Sequence, residues 1–260
     1  AEFRLPWATL GMGRAPGRTL GLNVCRERVP ERELTCWAPT GGKFATPQAF
    51  GELHYDVDLT PYRLDLAVSD WGKGVVVVLD PAGGERARSG RLLRPSGLAV
   101  YGERIFVAET GADQVVVLDR HGCGIMETVP VGPAPYALAV DAVRGRVWVA
   151  NAGGDSVTVL DARTGTPIGT VRLDGLGHPQ GLAVDGKRGR VYVTFLHSAL
   201  LHGLAVMRAD DLRIERVLRG DRAQPLLGAY GVAVEPETGR IFLSDVQGLL
   251  MLDPDTLWPT

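Results

Sequence analysis

The chain has 260 residues, of which 45% are apolar and 22% are charged, and its formal net charge is -2. This small net charge gives no electrostatic argument for nucleic-acid or membrane-surface binding, and no apolar run has the length that spans a bilayer. Glycine (34 residues) and proline (17 residues) alternate with short runs rich in valine and leucine, which is typical of an all-β protein.

The first 54 residues carry no internal repeat, and their pattern predicts strand, turn, strand, polar hairpin, loop and strand. A piece of this size has too few apolar residues for a comfortable independent core. We therefore interpret residues 1–54 as the end of a larger β-sandwich and residues 55–260 as a second domain. Cys25 and Cys36 are expected to face each other across the hairpin, either as a disulfide or as free thiols. Cys123 has no obvious partner, and no Cys/His spacing indicates zinc.

Four short motifs give this first region a family resemblance. They are Pro6-Trp7, NVCRE (23–27), TCWAPT (35–40) and FATPQAFG (44–51). In order and spacing they resemble the C-terminal part of the family 9 carbohydrate-binding module and its relatives. The resemblance implies that aromatic rings stack on a sugar while polar groups bind its hydroxyls, with the candidates Asn23, Arg26, Glu27 and Trp37. The alternatives are an Arg26–Glu27 ion pair and core packing of Trp37. Because the N-terminal half of such a module is missing, we expect an internal fragment of a longer protein.

The rest of the chain repeats a unit of about forty residues. The clearest copies are VSDWGKGVVVVLD (68–80), VAETGADQVVVLD (107–119), VANAGGDSVTVLD (149–161) and LSDVQGLLMLD (243–253), with a degenerate copy at 193–207. Each copy predicts two strands around a tight Gly/Asp/Asn turn. A strand of small and apolar residues, such as PSGLAV (95–100), precedes most copies, and a more polar strand follows. Four strands in forty residues are the pattern of a β-propeller blade.

The amino-acid sequence of the repeat also resembles known families. VWVANAGGDSVTVLDARTGTPIGTV resembles the YVTN-type repeat, and RIFVAETGADQVVVLD resembles the related NHL-type repeat. The resemblance covers about residues 64–260 and implies an all-β propeller of about five visible four-stranded blades. The first copy lacks a clear inner strand and the last stops after its third strand. We therefore expect a propeller truncated from six or seven blades, with a closed five-bladed ring as the alternative. Proteins of these kinds are most often exported in bacteria, which predicts a secreted or periplasmic location.

One candidate ligand site follows from the propeller interpretation. The residue just before each inner strand lies near one mouth of the central channel, and these residues are Ser96, Tyr136, Gln180 and Tyr230. Arg94 and His178, two residues away, would add charge to this rim. A hydrogen-bonding rim suits a small polar ligand or a peptide loop. The alternative is a solvated rim without a specific role.

A second candidate set lies in the repeat turns, at Asp70, Glu109, Asn151, Phe195 and Asp245. A ring of carboxylates would suit Ca²⁺ or Mg²⁺. However, side chains that accept hydrogen bonds from their own turns explain the same polar pattern. His197 and His202 offer a loop metal site as a further alternative. We predict no metal and no other cofactor.

The sequence contains no GxSxG, Walker or HExxH motif. Streptogramin-lyase-like propellers resemble this repeat and are expected to place histidine and acid residues at the channel mouth. Here the rim positions contain no histidine. We therefore predict a non-catalytic binding or scaffold protein with a carbohydrate, protein or peptide partner. The alternatives are a lyase- or lactonase-type enzyme with an axial divalent metal, and a purely structural repeat domain.

Overall fold

The computed structural model describes residues 25–29, 32–36, 66–80, 83–198, 201–220, 229–245 and 248–259. In these residues the regular structure consists of β-strands, and none of them forms a helix that could cross a membrane. The strands β1 (Cys25–Val29) and β2 (Arg32–Cys36) pair as a hairpin. All later strands belong to five antiparallel sheets of three or four strands.

The five sheets follow one another along the chain, and we call them blades 1 to 5. Blade 1 contains β3 (Leu66–Asp70), β4 (Val75–Leu79) and β5 (Glu85–Arg88). Blade 2 contains β6 (Pro95–Tyr101), β7 (Arg104–Glu109), β8 (Gln114–Asp119) and β9 (Ile125–Pro130). Blade 3 contains β10 (Pro135–Asp141), β11 (Arg146–Asn151), β12 (Ser156–Asp161) and β13 (Pro167–Arg172).

Blade 4 contains β14 (His178–Asp185), β15 (Arg190–Ser198), β16 (Leu201–Arg208) and β17 (Ile214–Arg219). Blade 5 contains β18 (Val232–Val234), β19 (Ile241–Asp245) and β20 (Gly248–Leu252). We label the strands of a complete blade A to D in chain order, so that blade 1 shows strands B to D and blade 5 shows strands A to C. The A strands of successive blades contact one another. This architecture confirms the predicted all-β, propeller-like fold.

The core lies between the blades rather than within one of them. Strand C is apolar on both sides, and Val115 to Leu118 in β8 are all fully buried, as the sequence predicted. The largest buried side chains are aromatic residues of strand B, namely Phe106, Trp148 and Tyr192, and each packs against the following blade. Strand D is mostly exposed, for example in Ile125–Pro130. Stacking of sheets, rather than folding of one sheet on itself, therefore removes the apolar residues from water.

Arginines of the A–B turns tie blade 3 to blade 4 and blade 4 to blade 5. The guanidinium of Arg144 pairs with Asp141 at 3.2 Å and donates to the carbonyl of Gly186 in blade 4. Arg188 repeats this arrangement with Asp185 at 3.0 Å and with the carbonyl of Thr238 in blade 5. A second arginine, two residues later in each turn, donates to a C–D turn carbonyl of the next blade, in the pairs Arg146 to Ala209 and Arg190 to Pro254.

The hairpin places the backbone of Cys25 directly opposite that of Cys36. This register confirms that the two positions face each other across the hairpin, and a disulfide between them remains a prediction. Asn23 and Trp37, which the sequence nominated for sugar binding, lie outside the described residues, as does the predicted domain boundary near residue 54. Arg26 and Glu27 lie on β1.

We expect a thiol count to separate the two states of this cysteine pair. Cys123 is free and buried, and burial raises the pKa of its thiol, so it should react only after unfolding because the thiolate is the reactive form. If Cys25 and Cys36 form a disulfide, protein unfolded without reductant should titrate with one equivalent of Ellman's reagent, and reduced protein with three. Three equivalents without reductant would show that the pair consists of free thiols.

Candidate functional site

One face of the stack, which we call the mouth face, carries the D–A connections and the B–C turns. Each B–C turn forms backbone hydrogen bonds with the D–A connection that leads into its own blade. In blade 2 the amide of Thr110 donates to the carbonyl of Arg94 at 3.2 Å, and the amide of Gly111 donates to that of Leu93 at 3.0 Å. The corresponding bonds in blade 3 run from Ala152 to Ala134 and from Gly153 to Pro133. The repeat itself therefore sets the backbone of this face.

Buried hydroxyl groups fix the residues that precede the inner strands. Each of these hydroxyls donates to a backbone carbonyl. The Ser69 hydroxyl donates to the carbonyl of Ser96 at 2.6 Å, and the Ser96 hydroxyl donates to the carbonyl of Tyr136 at 2.9 Å. The Thr194 hydroxyl donates to the carbonyl of Tyr230 at 2.7 Å. Each bond joins one blade to the next. Ser96 is itself fully buried, and its hydroxyl also lies 2.8 Å from that of Thr110. Ser96 therefore joins two blades and does not offer a side chain to the open rim, which corrects its predicted place there.

Two glycines allow this close approach of the blades. A Cβ atom on Gly97 would lie 2.5 Å from the carbonyl oxygen of Tyr136, and one on Gly181 would lie 2.4 Å from that of Tyr230. Real Cβ atoms are excluded at such distances, so only glycine fits at these positions. The small residues that mark the inner strands in the sequence thus serve the contact between blades.

Arg94 differs from the other predicted rim residues in its surroundings. Its guanidinium carbon lies 5.9 Å from the centre of the Trp71 ring, which is a cation–π contact between blades 1 and 2. The side chain is exposed and forms no hydrogen bond or ion pair within the described part of the chain. Its φ of 55° is left-handed, but Ala134 shares this conformation at 47°. The backbone geometry therefore belongs to the repeat, and the side chain is what distinguishes Arg94.

Trp71 was not among the residues that the sequence nominated. It occupies the first position of the blade 1 turn, where the aligned residues of blades 2 and 3 are Thr110 and Ala152. The sequence did contain a signal for Trp71, because it is a large aromatic residue at a turn position that holds small residues in blades 2 and 3. Trp71 is half-buried, whereas the neighbouring Leu93 is 55% exposed. Together they form an apolar surface beside the Arg94 guanidinium.

Two further cations, Lys73 and Arg91, lie on the turn that contains Trp71 and on the connection that faces it. The ammonium of Lys73 lies 3.4 Å from a carboxylate oxygen of Asp70, and this side chain of Lys73 is 55% exposed. Arg91 is exposed on the connection that faces the same turn. Two carboxylates lie at the same turns, because Asp70 pairs with Lys73 and Glu109 accepts from the amide of Leu93.

The turn residues considered for a metal have different roles. Asp70 accepts from the amide of Lys73 at 2.9 Å, which confirms capping of its own turn. The prediction that the side chain caps its own turn is wrong for Glu109. Its carboxylate accepts hydrogen bonds from the amide of Leu93 and from the side chain of Gln114. Phe195 is buried in the core, and the side chain of Asp245 lies outside the described residues. In the described part of the chain no three His, Cys, Asp or Glu side chains form a metal-binding group.

Capping is also wrong for Asn151, which is fully buried. Its amide nitrogen donates to Ser156 at 3.1 Å and to Thr158 at 2.9 Å, while its side-chain oxygen has no described partner. The connection explains this difference from Glu109, because Pro133 stands where blade 2 has Leu93 and proline has no N–H to donate.

The remaining rim candidates lie on blades 3 to 5. The Nδ1 atom of His178 is 2.8 Å from the carbonyl oxygen of Ala152 and 2.9 Å from a carboxylate oxygen of Asp155. Tyr136, Gln180 and Tyr230 are half-buried. The ring of Tyr230 lies 6.3 Å from that of buried His202. The side chain of His197 is outside the described residues.

Comparisons with known proteins identify the fold. Neither the protein-family models nor the curated proteins contain a match. Among solved structures, hydrazine synthase from Kuenenia stuttgartiensis is similar with a TM-score of 0.60 at 12% identity, covering 75% of this chain and 64% of that one. A putative 6-phosphogluconolactonase from Bacteroides uniformis ATCC 8492 is similar with a TM-score of 0.59 at 12% identity, covering 75% and 66%. The match thus spans just under two thirds of each of these chains.

Both structures are propeller-like folds with four-stranded sheets. The chain therefore has a β-propeller-like fold. Since 1006 chains of solved structures match, the likeness establishes the architecture and does not select an activity. The YVTN/NHL repeat type and the family 9 carbohydrate-binding-module resemblance remain predictions.

Proposed function

We propose that this chain is a non-catalytic binding protein whose ligand docks on the mouth face beside Trp71 and Arg94. The observation that carries the proposal is the Arg94 guanidinium, which is held over an aromatic ring with its N–H donors unpaired in the described part of the chain. A guanidinium offers two parallel donors to a carboxylate, and such charge-assisted bonds are strong. The ligand is therefore a carboxylate-bearing carbohydrate or peptide.

Charge and rigidity support this assignment. Lys73 and Arg91 add positive charge beside Arg94, which favours an anionic group at this point of the face. The hydroxyl bonds between blades hold the rim backbone in place, so little conformational entropy is lost when a ligand binds. Half-buried Tyr136, Gln180 and Tyr230 continue the rim and extend the surface available to a longer ligand.

The resemblance of residues 1–54 to a sugar-binding module adds a second carbohydrate contact to the proposal. This contact uses the nominated residues Asn23, Arg26, Glu27 and Trp37. A secreted or periplasmic location is part of the same proposal, because extracellular carbohydrate would then be accessible.

The change Arg94→Gly tests the site without weakening the fold. Removing a charge-assisted hydrogen-bonding group costs about 1.5–3 kcal/mol, so affinity for a uronic-acid oligosaccharide or an acidic peptide should fall by about 10- to 150-fold. Glycine adopts a φ of 55° freely, which offsets the loss of the exposed cation–π contact of about 0.5–1 kcal/mol, so the free energy of unfolding should stay within about 1 kcal/mol. Calorimetric titration and urea unfolding measure the two quantities.

Ala134→Gly is the matched control, since Ala134 has the same left-handed conformation but no cation over an aromatic ring. It should raise the free energy of unfolding by up to about 1 kcal/mol, since no cation–π contact is lost, and it should leave affinity unchanged. The proposal fails if Arg94→Gly binds as tightly as the natural sequence. It also fails if neither acidic probe binds more tightly than its neutral counterpart.

A lactonase activity is the second candidate, because one similar structure is a putative 6-phosphogluconolactonase and the cationic surface at Trp71 suits an anionic lactone. The assay follows hydrolysis of 6-phosphogluconolactone by the whole chain, with and without added divalent metal. Turnover above the spontaneous rate would replace the binding proposal with the enzymatic one. Turnover equal to the spontaneous rate in both conditions would reject the lactonase.

A further inference from the structure

Blades 2 to 4 share an aligned proline at their inner strands, and the residue before this proline differs from blade to blade. It is Arg94 in blade 2, Ala134 in blade 3 and His178 in blade 4. The repeat therefore puts His178 at the position that Arg94 occupies two blades earlier, with a small alanine between them. A second side chain that can become cationic thus lies on the mouth face.

The preceding B–C turn places an aspartate against this position in blades 3 and 4. Asp113 of blade 2 accepts from the amide of Ala134 at 2.8 Å. Asp155 is the aligned residue of blade 3, and both aspartates have a left-handed backbone, with φ of 54° and 43°. The carboxylate of Asp155 lies 2.9 Å from Nδ1 of His178. An acid that caps a backbone amide in one blade therefore faces a titratable ring in the next.

The blade 3 turn orients the imidazole ring of His178. Its Nδ1 atom lies 2.8 Å from the carbonyl oxygen of Ala152, and a carbonyl only accepts hydrogen bonds, so Nδ1 carries a hydrogen. The other ring nitrogen, Nε2, is then the atom that gains a proton on acidification. Because the side chain is 58% exposed, a ligand on the mouth face can reach it.

Asp155 is the charged group that faces His178 within the described part of the chain. One of its carboxylate oxygens is buried and accepts no hydrogen bond there, and no lysine or arginine among the described residues forms an ion pair with it. Arg172 and Asp174, which come shortly before His178, pair with each other at 2.9 Å. Asp155 and a neutral His178 thus carry one negative charge together, and protonation of His178 cancels it.

We propose that His178 is a second, proton-dependent contact for the acidic ligand, so that the mouth face binds an oligouronate more tightly as the pH falls from 8 to 5.5. This inference rests on the proposed function, in which Arg94 supplies the first contact. At pH 8 the charge of Asp155 repels a second carboxylate of the ligand. At pH 5.5 this charge is cancelled, and the Nε2–H group of His178 donates to that carboxylate.

An oligouronate is the occupant for two reasons. It carries a carboxylate on every sugar, so one chain can reach both Arg94 and His178. The Trp71 ring beside Arg94 also offers an apolar surface to the C–H face of a pyranose. An acidic peptide would supply the charges without this stacking surface, and the experiment below therefore includes one.

Calorimetric titration of the whole chain with a four-sugar oligouronate tests the inference. Carboxylates with ordinary pKa values near 4 are ionised at both pH 8 and pH 5.5, so the charge of the probe stays nearly constant. We expect the affinity to be about 3- to 10-fold higher at pH 5.5. Titrations at pH 6.5 in two buffers with different ionisation enthalpies should show that binding takes up protons.

Two variants separate the contributions of the ring and the carboxylate. His178→Gln keeps a donor for the carbonyl of Ala152 but gains no proton, so its affinity should be the same at both pH values and its proton uptake should vanish. Asp155→Asn keeps a residue that tolerates the left-handed backbone and removes the repelling charge. Its affinity at pH 8 should therefore rise about 2-fold.

His121→Gln is the matched control, because Nε2 of His121 lies 2.6 Å from a carboxylate oxygen of Glu103 and its side chain is 59% exposed on the face opposite the mouth face. This variant should keep the pH dependence of the natural sequence. Equal affinity of the natural sequence at both pH values overturns the inference, and so does pH dependence that persists in His178→Gln.

Both of these results leave the contact with Arg94 in place. A natural sequence that binds the oligouronate at neither pH refutes the proposed function and the inference together, so the two failures are distinguishable. An oligoglutamate of equal charge that binds as tightly as the oligouronate overturns the choice of a sugar ligand.

Discussion

Replacing Trp148 with alanine is expected to lower the free energy of unfolding by about 3–5 kcal/mol. Trp148 is fully buried between blades 3 and 4, in a cluster that includes Val159 of its own blade and Val191 and Met207 of the next. The lost stability has two sources. Apolar surface of the neighbouring side chains is exposed to water, and a cavity remains because the two sheets can move together only partly. Urea unfolding of the whole chain measures the change.

Trp148→Phe should cost less than the alanine change. The indole N–H of Trp148 has no described acceptor, and phenylalanine removes this buried donor while filling part of the volume. Trp258→Ala is the control, because that ring is 60% exposed and its loss should stay within about 0.5 kcal/mol. Equal losses for Trp148→Ala and Trp258→Ala would contradict the assignment of the core to the interfaces between blades.

Gly97→Ala is expected to destabilise the protein by about 1–3 kcal/mol and to weaken ligand binding at the mouth face. The added Cβ would lie 2.5 Å from the oxygen of Tyr136, 2.9 Å from Cα of Ala137 and 3.0 Å from the nitrogen of Leu138. All three atoms belong to the backbone of blade 3, so blades 2 and 3 must separate. The 2.9 Å bond from Ser96 to Tyr136 would lengthen with them.

Gly90→Ala is the matched control for this change. Gly90 lies on the connection that leads to the same blade, and a Cβ there would meet no atom within 4 Å. We expect its effect on the free energy of unfolding to stay within about 0.5 kcal/mol. A Gly97→Ala variant as stable as Gly90→Ala would show that the blades are not in the close contact described here.

The strands and their order could be predicted because they depend on local signals. Gly/Asp/Asn turns at a spacing of about forty residues divide the chain, and β-branched runs such as 115–118 mark strands that are buried on both faces. The small residues of PSGLAV and PQGLAV indicated tight space, which the close approaches at Gly97 and Gly181 confirm. These features repeat at fixed positions, so a single sequence exposes them.

The candidate site depended on neighbours that are distant in sequence. Arg94 was nominated from its position in the repeat, but its partner Trp71 lies 23 residues earlier in another blade. Ser96 has the expected position but not the expected exposure, because the next blade covers it. Strand periodicity specifies which side of a sheet a residue occupies, and it does not specify what the neighbouring sheet places against that side.

The sequence by itself therefore determined the repeat, the all-β class, the strand order and the tight inner strands. Tertiary structure alone decided which polar side chains join blades and which stay open, as with Ser96 and Arg94. It also decided that the ring of Tyr192 is fully buried against blade 5. The physical reason is that turn formation and strand alternation act over a few residues, whereas burial between blades depends on the sheet that packs alongside.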